Sequence, residues 1–75
     1  MSLTEEQLQE IAKKADYIAQ KERLLSKRKA LLDDLEHAQD NVEEGLIREE
    51  RERLAAQIKT LAENIRQIEA WEQLA

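Results

Sequence analysis

The side chains of this 75-residue chain that could do chemistry lie in two short stretches. His37, the single histidine, has Asp33, Asp34, Glu36 and Asp40 within four residues. Positions three and four apart share a helix face, so His37 with Asp33 or with Asp40 could touch one metal ion. A good site brings several ligands to one point, and one imidazole among scattered acids does not. A solvated surface histidine is expected. Lys27, Arg28 and Lys29, with Lys21 and Arg23 nearby, form the basic concentration. They could grip a phosphate or an acidic partner. No aromatic side chain is interleaved for base stacking. The plain reading is a solvated helix face, and its functional form is a patch that steers an acidic partner helix.

Enzymatic patterns are missing. There is no Gly-rich phosphate loop, and Ser2 and Ser26 have no His and Asp context that would make a nucleophile. Carboxylates abound, but a catalytic acid needs burial to shift its pKa, and a thin helical chain has no pocket to supply it. No catalytic residue, cofactor or metal ligand is assigned.

The elements that must carry these residues follow from composition. There is no Cys, so disulfides and thiolate metal sites are excluded. There is no Pro and one Gly, which disfavours strand-and-turn folds. Ala, Glu, Lys, Leu and Arg supply well over half of the residues, a composition that flags long helices and coiled coils. The net charge of −5 argues against nucleic acid and anionic membranes as partners. No apolar run approaches the ~18 residues that span a bilayer. Met1-Ser2-Leu3-Thr4 lacks the regions of a signal peptide, and a cytoplasmic protein is expected.

Leu54, Ile58, Leu61, Ile65 and Ile68 step by four and three, with Ile47 and Ala75 continuing the phase. Such steps hold side chains on one narrow stripe, a seam made to meet another helix. Arg51 and Glu72 fall on the same seam, where polar residues set register at some cost in stability. Thr4 followed by Gln7 fits a capping box. The spacing predicts an all-α chain: an antiparallel, coiled-coil-like two-helix hairpin, completing a bundle by dimerisation or partner binding. Helix 1 is expected over about 5–42 and helix 2 over about 46–74. The turn, at about 41–46, is set either by Gly45 ending the first helix or by Asn41 capping the second, with Glu44 in the capping-box position. A turn near residues 43 to 44 would set Leu32 by Leu54, Leu25 by Leu61 and Ile18 by Ile68. It would also set Asp33, Asp34 and Glu36 beside Arg51 and Arg53, and Tyr17 beside Trp71. One continuous helix is the runner-up, since a stutter could absorb the change of phase.

The first helix carries two apolar stripes. Leu8, Ile11, Ala15, Ile18, Leu25 and Leu32 form one, and Tyr17, Leu24, Leu31, Leu35, Ala38 and Val42 form the other. One can face the second helix, and the other needs a cover unless it is a broad, tolerably exposed face. Leu25 and Leu32 are expected to hold the hairpin. Leu24, Leu31, Leu35, Ala38 and Val42 are expected to lie outside it and bind a partner, with Tyr17 and Trp71. Trp71 is either an anchor for that partner or a cap on the open end of the hairpin. On this division Leu31→Asp should abolish assembly and leave helicity intact. The partner is another copy, as a homodimer or higher assembly, or another helical protein. The expected function is that of an adaptor or chaperone-like binder. The alternative is a structural coiled-coil oligomerisation segment, a parallel dimer or designed helical assembly. In shape the hairpin resembles the two-helix co-chaperones of type III secretion needle subunits. It is similar also to viral or plasmid-borne and designed hairpins, with no shared motif.

Overall fold

The computed structural model describes residues 2–74 and holds three helices: α1 (Glu5–Ala12), α2 (Lys14–Glu36) and α3 (Asn41–Leu74). Ala75, placed on the seam by its spacing, lies outside the described residues. The chain is all-helical, with no strand among the described residues. It forms a rod about 57 Å long and 15 Å across, close to the length of α3 alone at about 1.5 Å per residue.

Thr4 starts α1 with a capping box. Its hydroxyl accepts from the Gln7 amide at 3.1 Å, and the Gln7 side chain accepts from the Thr4 amide at 2.8 Å. Two amides that a helix start leaves free are thereby satisfied. Glu5 and Glu6 follow, at the positive end of the helix dipole. The break between α1 and α2 is a single residue, Lys13. Its amide bonds the Glu10 carbonyl three residues back at 3.0 Å, a local tightening of the helix. The ladder resumes with the Tyr17 amide on the Lys13 carbonyl at 3.0 Å. α1 and α2 therefore act as one arm.

The reversal comes earlier than the spacing predicts. α2 ends at Glu36 rather than near residue 42, and α3 begins at Asn41 rather than near 46. Asp40 decides this. Its carboxylate accepts from the Glu43 amide at 2.8 Å, while the Glu43 carboxylate accepts from the Gln39 amide at 3.0 Å. Side chains at positions 40 and 43 thus satisfy the start of α3, with Asp40 rather than Asn41 in the capping role. Gly45 is an ordinary helical residue: its φ is not positive, and a Cβ there would meet nothing within 4 Å.

Moving the turn moves the register. Arg28 lies opposite Arg51, each donating its Nε–H to the other's backbone carbonyl at 3.3 Å. A turn at residues 43 to 44 would have set position 28 opposite Lys59, eight positions further along. The proposed pairings of Leu32 with Leu54, Leu25 with Leu61 and Ile18 with Ile68 are therefore corrected. So is the match of Asp33, Asp34 and Glu36 with Arg51 and Arg53. Arg53 pairs within its own helix, with Glu50.

The core lies along α3. Leu54, Ile65 and Ile68 are buried, Ile68 to 1% exposure, and Ile58 and Leu61 are half-buried. No helix among the described residues is long and apolar enough to cross a membrane.

Candidate protein-interaction site

Numbering both arms in heptads shows what the seam is made of. On α3 the a positions include Arg51, Ile58 and Ile65, and the d positions Leu54, Leu61 and Ile68. On the first arm the half-buried residues also step by four and three. Tyr17, Leu24, Leu31 and Ala38 take d. Gln7, Lys14, Lys21, Arg28 and Leu35 take a. Every a position from Gln7 to Arg28 is polar. Long Lys and Arg stems can cover apolar surface while their heads reach outward. Lys14 does this, its Nζ 2.8 Å from the Glu72 carboxylate.

This phase corrects the division of the two stripes. Leu24, Leu31, Leu35 and Ala38, expected outside the hairpin, are half-buried on the arm's seam, as is Tyr17, expected to bind a partner. Leu25 and Leu32, expected to hold the hairpin, are 44% and 43% exposed. The physical reason is the register: once Arg28 faces Arg51, positions 25 and 32 stand four after an a position and flank the contact. Val42 belongs to the first turn of α3 and is 73% exposed. Trp71 is half-buried in a cleft with Thr4, Gln7 and Glu10. Tyr17 directs its hydroxyl to the Glu10 carboxylate at 2.6 Å. The structure thus sets Trp71 against the first turns of α1, near Gln7 and Glu10, where the longer register would have set it beside Tyr17.

The displaced apolar residues form one edge. Ile11, Ile18, Leu25 and Leu32 are each seven apart, so they lie in line along the arm. Ile11 is half-buried and the other three are exposed. In the register set by Arg28 and Arg51, position 25 stands opposite Leu54 and position 18 opposite Leu61, with Ala55 and Ala62 one residue on. Leu25 and Leu32 border a shallow trough on this edge. Over residues 25 to 32 it is lined by Leu25, Arg28, Lys29, Leu32 and Arg51.

The opposite edge is polar at its rim and apolar beneath. Lys27 reaches Glu50 across the arms at 4.0 Å, and Gln20, Arg23, Gln57 and Thr60 border a groove floored by Leu24, Ala56 and Leu61. The large apolar side chains that flank the seam in the open, Ile18, Leu25 and Leu32, therefore lie on one edge. A helix built for a two-stranded seam is apolar at a and d, whereas a helix in a bundle is apolar at a, d and one further position.

The chemistry-bearing residues of the sequence take structural places. A ring nitrogen of His37, Nδ1, is 2.8 Å from the Asp33 carbonyl, so the side chain satisfies a carbonyl at the end of α2. Among the described residues no three His, Asp or Glu side chains gather where a metal ion could be held. Tyr17 lowers the Glu10 pKa below its ordinary value by hydrogen bonding, opposed by partial burial and helped by Lys13. The same bond raises the Tyr17 pKa, and the bond to Glu72 raises that of Lys14. All three groups sit near the open end, where they tie α1 to α2 and α2 to α3.

The apolar edge was visible in the sequence as surplus leucine, but its identity was not. The usable signal was the run of long cations at Lys14, Lys21 and Arg28, seven apart. Comparison of the chain with family models, with curated proteins and with solved structures finds no match.

Proposed function

We propose that this chain is a small non-enzymatic interaction module, an adaptor or chaperone-like binder. It acts as an antiparallel helical hairpin that offers the edge of Ile11, Ile18, Leu25 and Leu32 to a further helix. One observation carries the reading: Ile18, Leu25 and Leu32 stay exposed, in line and on one side, after the hairpin has closed. A two-helix hairpin has one packed side per helix, and small domains gain stability by burying more. Covering this edge would complete a bundle with apolar a, d and flanking positions.

Methyl NMR tests the reading. The Leu25 and Leu32 methyl signals should shift as the chain's own concentration rises or as a synthetic amphipathic helix is added. Signals that stay fixed under both conditions overturn it. Two substitutions divide the faces. Leu25→Asp should keep the helical circular dichroism and lose the association. Leu31→Asp places a charge on the seam and should melt the helices themselves.

A further inference from the structure

Resting on that reading, we infer that the helix covering this edge is an acidic amphipathic helix of another protein, not a second copy of this chain. The trough between residues 25 and 32 is lined by two leucines and three cations, Arg28, Lys29 and Arg51, and by no carboxylate. This is unusual in a chain of net charge −5. Elsewhere the cations that bridge the arms meet acids: Lys14 meets Glu72 and Lys27 meets Glu50. Arg28 and Arg51 have no acidic partner among the described residues. Their recorded bonds use only Nε, given reciprocally to backbone carbonyls. A guanidinium carries further N–H donors in a planar fork that matches a carboxylate. The two forks are held in place by their Nε bonds, so they are oriented before a ligand arrives.

The matching ligand has stated chemistry. Two apolar residues seven apart would follow the Leu25–Leu32 spacing, and Asp or Glu on the flanking positions would meet Arg28, Lys29 and Arg51. A second copy fits poorly. An isologous contact places the same patch on both sides, which brings a like-charged trough into the interface from each copy. Outside this edge, Val42 and Leu46 are an exposed apolar pair on the acidic part of the chain. They span one helical turn, whereas the edge from Ile18 to Leu32 runs about four.

The test uses the full chain and two synthetic helical peptides with the same leucines seven apart, one flanked by Glu and the other by Lys. Fluorescence anisotropy gives their affinities at low and physiological salt, and sedimentation equilibrium gives the state of the chain alone. The Glu-flanked peptide should bind about tenfold or more tighter, with an advantage that shrinks as salt rises. Arg28→Gln with Arg51→Gln should erase the difference. Lys29→Glu, at an exposed position off the seam, should reduce it without changing helicity. Equal affinities overturn the acidic partner and leave the helix-binding edge standing. A dimer that covers Leu25 and Leu32 and excludes both peptides overturns it in favour of a second copy. Tighter binding to anionic lipid vesicles or a polyphosphate than to the Glu-flanked peptide also overturns it. A monomer that binds neither peptide overturns both this inference and the reading beneath it.

Discussion

α3 brings Ile58, Leu61, Ile65 and Ile68 to the seam in unbroken succession, whereas the first arm brings Lys14, Lys21 and Arg28 to alternate levels of the same seam. The difference lies in how each helix is fixed in rotation. Between Leu54 and Ile68, with apolar residues at both a and d, α3 can bury only one face well. The first arm has apolar residues at d and at the edge position beside it, so more than one rotation would bury leucine. Its long cations make the observed rotation tolerable, because their stems line the seam while Lys14 sends its charge to Glu72. The consequence is functional. Apolar side chains that a symmetrical seam would have buried remain on one edge.

The largest effect that tests this contrast is truncation. Ile68→Ala empties the most buried position of α3 and should cost about 2–5 kcal/mol in urea unfolding. Leu25→Ala, on the exposed edge, should cost less than about 1 kcal/mol. Equal losses would mean that the two leucine environments are the same and would break the comparison. The next effect has the opposite sign. Lys21→Leu gives the first arm an apolar a position and should stabilise the hairpin by about 1 kcal/mol in the same assay. A loss would show that the cation is needed on the seam.

Gly45→Ala should raise stability by about 0.5–1 kcal/mol, since the position is helical and open. A destabilised alanine variant would return the turn to Gly45 and shorten α3. The smallest effect is on pH dependence. Glu10 is held below its ordinary 4.5 by Tyr17, so its contribution is present above that pH and fades as pH falls through the lowered value. Tyr17 and Lys14 are raised above 10.0 and 10.5, so theirs is present below those values and fades as pH rises through the raised ones. The share of stability that these three groups supply in thermal melts should therefore be constant between about 4.5 and 10 and fade at both ends. Tyr17→Phe should flatten the acid limb.

How far the fold was legible depended on whether a pattern closed locally. The Thr4 capping box needs only residues 4 and 7, and it forms as the spacing predicts. The seam of α3 needs only its own periodicity. The turn offered two residues with good local credentials, Asn41 and Gly45, and the structure uses Asp40 with Glu43 instead. The turn lies about four residues earlier than the spacing predicts, and this reverses the first arm's faces. Opposed positions shift by twice the displacement of the turn, and here that shift exchanged Leu24 and Leu31 for Leu25 and Leu32. The candidate edge was thus legible as a surplus and illegible as a place.

By itself, the order of residues determined that this chain is helical and that residues 54 to 68 make a seam. It determined also that the first arm holds more leucine than one neighbour can bury. These follow from propensity and from the 3.6-residue turn, which act within one helix. Only the tertiary structure decided which stripe faces inward. That choice rests on the reversal at residues 37–40 and on Arg28 meeting Arg51, contacts between residues 23 positions apart. A helix's own periodicity carries no record of where its partner begins.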